Sequence, residues 1–266
     1  MNTNGNHSGF ASIRVHSRLK FKLISCEIFF REMEFLLEQA PHGIDVEFLQ
    51  KGLHDIPADE MTARIQAQVD TASEQGYDAI LLGYGLCNNG LDGIKARNVQ
   101  LVLPRAHDCI TLFLGSRQRY REHFDTNPGT FYKTTGWIER DVVAEELKQL
   151  SIPNQTGMDK TYEQLVEEYG EDNAGFLWEE LCNTEKNYSQ ITFIEMGVEP
   201  DDSFEKIAKE EAASKQWKFE KVPGNLTLLQ RLLSGDWNPE DFLVVPPHHR
   251  IRARHDEQIV TATENR

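Results

Sequence analysis

The feature that most constrains the fold is an alternation of short apolar runs with longer amphipathic stretches. Residues 21–26 and 79–82 are apolar runs typical of buried strands, with further strands predicted over 46–49 and 99–103. Helical spacing of apolar residues predicts helices over 28–38 and 58–75. Strands separated by helices of this length indicate βαβ units and a parallel sheet.

The second half of the chain repeats this order of elements. It predicts strands over 191–195, 218–222 and 242–245, with helices between them and a helical stretch over 162–182. The predicted fold is therefore α/β, with Rossmann-like parallel sheets in two similar lobes and a helical insert. The predicted boundaries are a disordered leader over 1–20, a first lobe over 21–150, an insert over 151–190, a second lobe over 191–252 and a disordered tail over 253–266.

Composition and charge exclude several classes of function. The net charge of −15 repels phosphate backbones and anionic lipid surfaces, so we expect no nucleic-acid partner and no membrane association. No apolar run approaches the roughly 18 residues of a membrane helix, and the polar N-terminus lacks the apolar core of a signal peptide. We therefore expect a cytoplasmic protein, in which the four cysteines are thiols rather than disulfides.

The residues at the ends of the predicted strands point to chemistry. In an open parallel sheet, ligands bind beyond the carboxyl ends of the strands. Cys26, Cys87, His107 and Cys109 all lie at or near such ends. If the backbone is extended, His107 and Cys109 project to the same side. Together with Cys87 or Cys26 they make a three-ligand zinc site with one open position, although cobalt, iron or copper would also suit the set.

Other interpretations of these residues stay open. Cys87 and Cys109 also fit as small buried apolar side chains, and the glycines around Cys87 lack the GxGxxG pattern of nucleotide-binding loops. His248, beside His249 after the last strand, is a candidate acid or base, with Cys87 and His107 as the other catalytic candidates. The candidate substrate-binding residues are Tyr84, Asn88, Asn89, Arg105, Thr130 and Tyr132, with His54 in a neighbouring loop.

Several motifs together resemble a known family. They are Ile24-Ser25-Cys26-Glu27, residues 82–87 with Asn89-Gly90, residues 104–110, residues 129–132 with Gly136-Trp137, and residues 243–247. Over residues 21–252 the chain resembles the family called domain of unknown function 1638. The resemblance implies relatives encoded near corrinoid-dependent methyl-transfer systems, and hence a corrinoid protein as a possible partner. The pair His107 and Cys109 with a distant cysteine is similar to the ligand set of zinc enzymes that methylate thiols, although those enzymes are barrels.

A second, weaker resemblance concerns the first lobe. Cys87-Asn88 after a βαβαβ unit is similar to the Cys-Asn pair of aspartate/glutamate racemases. The matching place in the second lobe carries Pro247-His248 instead of Cys-Thr-His. Without a second thiol, racemisation by two bases is in doubt.

The sequence therefore predicts a zinc-dependent or other soft-metal-dependent enzyme or accessory protein. Its expected substrate is a small thiol or methylated molecule, and the expected context is corrinoid-dependent methyl transfer. Two alternatives stay open at this point. One is a non-catalytic carrier or chaperone for a metal or a corrinoid. The other is a metal-free, cysteine-dependent enzyme with His107 as the base.

Overall fold

A computed structural model describes residues 18–265 of the chain. Within that range, short 3-10 turns occupy Glu27–Phe29 and Lys51–His54, and a π-helical turn occupies Trp178–Cys182. The strands are β1 (Lys20–Cys26), β2 (Gly43–Leu49), β3 (Ala79–Gly83), β4 (Leu101–Pro104), β5 (Thr130–Lys133), β6 (Gln190–Glu195), β7 (Lys218–Pro223), β8 (Phe242–Val245), β9 (His249–Ala253) and β10 (Val260–Glu264). The helices are α1 (Phe30–Leu37), α2 (Ala58–Ser73), α3 (Cys109–Leu114), α4 (Arg117–Thr126), α5 (Thr135–Glu139), α6 (Glu145–Leu150), α7 (Ile152–Thr156), α8 (Tyr162–Tyr169), α9 (Glu171–Leu177), α10 (Ser203–Ser214) and α11 (Thr227–Ser234).

The first sheet has five strands in the order β2-β1-β3-β4-β8. Strands β2, β1, β3 and β4 are parallel, and β8 pairs antiparallel with β4 at the edge. Every residue of β3 and β4 is buried. This is why their sequences are continuously apolar rather than alternating, as expected for parallel strands covered on both faces. The predicted α/β class is confirmed.

Each face of the first sheet carries its own apolar core. Met61, Ile65 and Val69 of α2 pack on one face, at the helical spacing that the sequence predicted. On the other face, α1 and α11 pack together with α3 and with Ile194 near the carboxyl end of β6. The two cores hold the central strands in place, so that the residues following those strands are presented at one edge of the sheet.

The second sheet is smaller and fully parallel, in the order β5-β6-β7. Ala208 and Ala212 of α10 pack against its buried Ile191 and Phe193. Helices α6 to α9 lie between β5 and β6, so the helical insert interrupts the second sheet and begins at Glu145 rather than at the predicted residue 151. The insert breaks at Gly170, whose φ of 78° lies in the left-handed region that favours glycine.

Three parts of the structure differ from the sequence-based expectations. Strand β8 was expected to end the second sheet, but it joins the first. Residues 130–133, which the predicted boundaries place in the first lobe, form the edge strand β5 of the second sheet. The tail predicted to be disordered contains β10, which pairs with β9 in a hairpin. Pairing between strands distant in sequence decides the first two, and local apolar patterns do not encode it. Of the leader predicted over 1–20, residues 1–17 lie outside the described residues, and Lys20 begins β1.

No helix within residues 18–265 combines the length and the apolar character needed to cross a membrane.

A buried carboxyl in α1 makes the stability of the fold sensitive to pH. Glu32 is 1% exposed, and neither of its carboxyl oxygens has a hydrogen-bond partner among the described residues. Burial raises the pKa of Glu32 to about 7, helped by the negative charge of nearby Glu199. Between the ordinary pKa and this value, the unfolded chain releases a proton that the folded chain keeps, so stability falls as pH rises.

We therefore expect Glu32→Gln to reduce this pH dependence. Below about pH 4.5 the carboxyl is protonated in both states and the substitution has little effect on charge. From there to about pH 7 the wild type should lose stability relative to the variant, by about 1.4 kcal/mol per pKa unit. Urea unfolding at several pH values measures the difference. Glu34→Gln, at an exposed position on the same helix, is the control, and equal pH profiles for wild type and Glu32→Gln would contradict the assignment.

Candidate functional site

A cavity of about 1300 Å³ lies beyond the carboxyl ends of β1, β3 and β4. Its walls come from the loops after these strands, from α4 and α5, from β5 of the second sheet and from the turn of the β9–β10 hairpin. Cys26, Cys87 and Cys109 all line it. The predicted convergence of the three strand ends on one site is thus present in the structure.

Each cysteine is placed by a different local structure. Cys26 is the last residue of β1, directly before a 3-10 turn. Cys87 lies in the loop after β3. Cys109 is the first residue of α3, whose N-terminus is capped by the Asp108 carboxylate accepting the backbone N–H of Thr111 at 3.2 Å. The expected extended backbone is present at Asp108, whose φ is −151° and ψ 179°, but it does not continue into Cys109, where the helix begins.

Backbone hydrogen bonds join the loop after β3 to the loop after β4. Leu86 donates to the Ala106 carbonyl at 2.8 Å, and Cys87 donates to the His107 carbonyl at 2.7 Å. The loops approach so closely that a Cβ on Gly85 would lie 2.6–2.8 Å from backbone atoms of Asp108. Only glycine fits there. This contact brings Cys87 and Cys109 to the same wall of the cavity.

Cys87 also carries backbone strain. Its φ of 51° lies in the left-handed region, which costs a residue with a Cβ about 1 kcal/mol or more. Strained residues of this kind are concentrated at functional sites, where the surrounding structure holds them in place. The strain singles out Cys87 among the three cysteines.

The cavity keeps all three thiols protonated at neutral pH. Burial raises the pKa of Cys26 and of Cys87 to about 12 and that of Cys109 well above its ordinary value. Each pair of thiols adds to this effect, since one thiolate disfavours another. Backbone N–H groups lower the pKa values in part: the N–H of Ile28 favours the thiolate of Cys26, and the N–H of Cys109 favours that of Cys87. Burial outweighs them.

An unpaired indole N–H lies beside Cys109. The N–H of Trp137 favours the thiolate form of Cys109 and so lowers its pKa in part, but it meets no acceptor at hydrogen-bond distance among residues 18–265. Gly136 allows α5 to lie close to the backbone of Ile28. A Cβ at this position would collide with the Ile28 carbonyl oxygen. The Lys51 ammonium, which is buried, packs over the indole 5.0 Å from the ring centroid.

Two further buried polar groups of the cavity wall are unpaired. The hydroxyl of Tyr84, a residue only 3% exposed, and the hydroxyl of Thr130 have no partner in the part of the chain that the structure describes. A buried polar group without a partner costs about 1–3 kcal/mol, which a bound polar molecule would remove. Aromatic rings make up much of the remaining wall, namely Phe29, Tyr120, Phe124, Phe131, Tyr132, Trp137 and Tyr188.

Most of the predicted site residues lie on the cavity, but some have other roles. Asn88 lines it, yet its amide N–H group donates to the carbonyls of His54 and Ile56, and this fixes the loop. Both ring nitrogens of His54 are occupied, by the Lys51 carbonyl and the Asp55 carboxylate. The predicted residues that line the cavity are Cys26, His54, Tyr84, Cys87, Asn88, Asn89, His107, Cys109, Thr130 and Tyr132.

Arg105 and His248 do not line the cavity. Arg105 donates to the carbonyls of Pro239 and Gln258 and so fastens the C-terminal hairpin. His248 was expected across the cleft, and this placement is wrong. Val245 of β8 pairs with Leu101, the first residue of β4, so the chain leaves β8 at the edge opposite to the cavity.

The structure has no ready-made metal site. Over residues 18–265, no group of three or more His, Cys, Asp or Glu side chains is arranged to hold a metal ion. His107 lines the cavity but is exposed. The three thiols therefore share the cavity without their sulfur atoms being set for coordination.

Several residues of the site had no place in the sequence-based prediction. The turn of the β9–β10 hairpin closes one side of the cavity, with Arg254 and Glu257 among its lining residues. Tyr120 lines the cavity and donates to the Asp108 carboxylate at 2.9 Å. Asp108, a favoured N-cap residue directly before the run Cys109–Leu114, could have indicated that a helix starts at Cys109. No comparable signal marks the hairpin.

Comparison with known proteins gives one match. A family model described as "Protein of unknown function (DUF1638)" matches residues 48–233. No curated protein and no solved structure matches the chain. The comparisons do not show the racemase resemblance.

We expect Gly85→Ala to destabilise the protein by about 1–3 kcal/mol, because the added methyl group forces the two loops apart. Urea unfolding measures the change. Labelling of Cys87 by a maleimide should become faster as the loop loosens. Gly175→Ala is the control, since no atom lies within 4 Å of the added Cβ and alanine favours the helix. Equal stabilities of Gly85→Ala and wild type would contradict the close approach.

Proposed function

We propose that this chain, which belongs to the DUF1638 family because the family model matches more than half of its residues, is a metal-dependent enzyme. The proposed metal is zinc or another soft divalent ion, held by Cys26, Cys87 and Cys109. The proposed substrate is a small thiol or methylated molecule. The observation that carries the proposal is that three thiols from three neighbouring strand ends line one cavity large enough for a small molecule.

The chemistry of the donor set supports zinc. Three thiolates are soft ligands, and three protein ligands leave a fourth position for a substrate, which is typical of catalytic zinc sites. Zinc would supply a strong positive charge that lowers the pKa of a bound thiol. Because the sulfurs are not yet set for coordination, binding requires their side chains to rotate towards one point. His107, at the cavity rim, is the further candidate ligand.

The surroundings of the thiols contain hydrogen-bond donors for thiolates, although burial keeps the resting thiols neutral. The unpaired indole N–H of Trp137 can donate to a thiolate of Cys109. The backbone N–H groups of Ile28 and Gly85 can donate to Cys26 and Cys87. Hydrogen bonds to the charged form favour it. Together these donors would stabilise the negative charge that a metal ion creates when it displaces the three protons.

The rest of the cavity supports a small substrate. The unpaired hydroxyls of Tyr84 and Thr130 can orient a polar molecule, while the aromatic side chains offer an apolar surface to the rest of it. A carrier that releases its ion to a partner needs no cavity of this size beside the thiols. This favours an enzyme over the carrier or chaperone. A corrinoid protein as partner, and a role in corrinoid-dependent methyl transfer, rest on the family resemblance alone.

The raised pKa values of the thiols disfavour the metal-free cysteine enzyme. A nucleophilic cysteine must be a thiolate near neutral pH, which requires a lowered pKa. At Cys26 and Cys87 burial raises the pKa to about 12. In the metal-free chain we therefore expect these thiols to be poor nucleophiles.

Elemental analysis of the full chain, purified without chelator or nickel affinity, tests the proposal. We expect one zinc ion per chain. Zinc occupancy should fall as pH falls, because zinc binding displaces protons from the thiols. Cys109→Ser should lose most of the zinc while its circular dichroism spectrum keeps the helical signal. Cys182→Ser is the matched control, since Cys182 lies in the helical insert and does not line the cavity. Metal-free wild-type protein, or full occupancy in Cys109→Ser, would falsify the proposal.

A second experiment tests the thiols of the metal-free chain. Iodoacetamide reacts with thiolates, so at pH 7 we expect Cys26 and Cys87 to be alkylated at least tenfold more slowly than free cysteine, whose pKa is about 8.5. The rates should rise as pH approaches 10. Mass spectrometry of the tryptic peptides gives the rate at each site. Alkylation of either residue as fast as free cysteine at pH 7 would instead favour the metal-free alternative.

A further inference from the structure

We propose that Tyr132, His123 and Glu220 form a proton relay that opens on the cavity, with Tyr132 as the general acid and base of the reaction. The inference rests on the proposed function, since it assigns a proton acceptor for the substrate of the same cavity. His123 and Glu220 had no role in any sequence motif.

The three side chains come from three elements of the structure. Tyr132 on β5 lines the cavity. Its hydroxyl lies 2.8 Å from Nδ1 of His123 on α4. Nε2 of the same ring lies 3.1 Å from the Glu220 carboxylate on β7. The chain of contacts therefore runs continuously from the cavity wall to the far strand of the second sheet.

The hydrogen bonds of Glu220 set the direction of the relay. The same carboxylate oxygen also accepts from the Gln190 amide at 2.8 Å and from the Thr192 hydroxyl at 3.1 Å. A carboxylate that accepts from these donors accepts from His123 as well, so the proton of the neutral ring lies on Nε2. Nδ1 is then an acceptor, and the Tyr132 hydroxyl donates to it. The oxygen of Tyr132 keeps its lone pairs for a molecule in the cavity.

This arrangement allows a balanced proton transfer. A substrate thiol gives its proton to the oxygen of Tyr132, and the S–H electron pair stays on the thiolate sulfur. Tyr132 passes its own hydroxyl proton to Nδ1 of His123. The ring becomes an imidazolium, which the negative Glu220 stabilises. The reverse sequence returns a proton to a product, so that Tyr132 acts as an acid in that direction.

A second tyrosine of the cavity provides the comparison. Tyr120 also lines the cavity, but its hydroxyl donates to the Asp108 carboxylate, which is engaged in capping α3. Burial and this carboxylate raise the pKa of Tyr120 far above its ordinary value. Burial also raises the pKa of Tyr132, to about 12, but its hydroxyl contacts an imidazole nitrogen that can take the proton. Tyr120→Phe therefore removes a phenol of the same cavity without touching the relay.

Nitrogen NMR of the full chain labelled with ¹⁵N-histidine tests the relay, with ethanethiol as the probe thiol. In metal-free protein at pH 7.5 we expect His123 to be neutral with its proton on Nε2. In zinc-loaded protein, saturating ethanethiol should convert the His123 signals to those of an imidazolium. Tyr132→Phe and Glu220→Gln should each abolish most of this conversion. Tyr120→Phe should retain it, and zinc content is measured in every sample.

The outcomes separate this inference from the proposed function. If wild-type protein binds no zinc, the proposed function fails, while the tautomer measured in metal-free protein still tests the relay. A proton on Nδ1, or a cationic ring before ethanethiol is added, overturns the relay. Bound zinc and bound ethanethiol with a ring that stays neutral also overturn it. Conversion in Tyr132→Phe equal to that in wild type would show that the proton takes another route.

Discussion

The site depends on the backbone contact between the loops that follow β3 and β4. In a parallel sheet the strands hold each other in register, but the loops beyond their ends have no such constraint. Here two hydrogen bonds, from Leu86 and Cys87 to Ala106 and His107, continue the pairing past the strands. Gly85 makes this possible because it has no side chain to separate the loops. The contact fixes Cys87 in its strained conformation and sets it near the start of α3.

The same contact helps to explain why the pKa values of the thiols are raised and the thiols stay protonated. The loops half-bury the cysteines, and the loss of hydration disfavours the charged thiolates more than the nearby N–H groups favour them. Nucleophilic cysteines need the reverse balance. A site that keeps three thiols together and neutral suits a ligand that brings its own positive charge, because such a ligand supplies the stabilisation that water would otherwise give.

The sequence predicted well that the three cysteines lie together, because the position at which a strand ends is encoded by the local sequence. An apolar run predicts where a strand ends, and parallel pairing then brings Cys26, Cys87 and Cys109 to one edge. The placement of His248 failed for a non-local reason. Nothing in the run 242–245 tells whether that strand pairs with β4 or with the second sheet, or in which direction. The antiparallel pairing of Val245 with Leu101 moved the histidine to the opposite edge.

The contacts of Tyr132 with His123 and Glu220 could not be predicted for the same reason. His123 and Glu220 are separated by 97 residues, and they meet because α4 packs against the second sheet, which contains β5 and β7. The second sheet thus contributes the phenol of Tyr132 to the cavity wall, whereas the first contributes thiols that are neutral at rest. Placing the two on different sheets keeps the Glu220 carboxylate on the far side of His123 from the cavity. A negative charge closer to the thiols would raise their pKa values further and oppose the thiolates that metal binding requires.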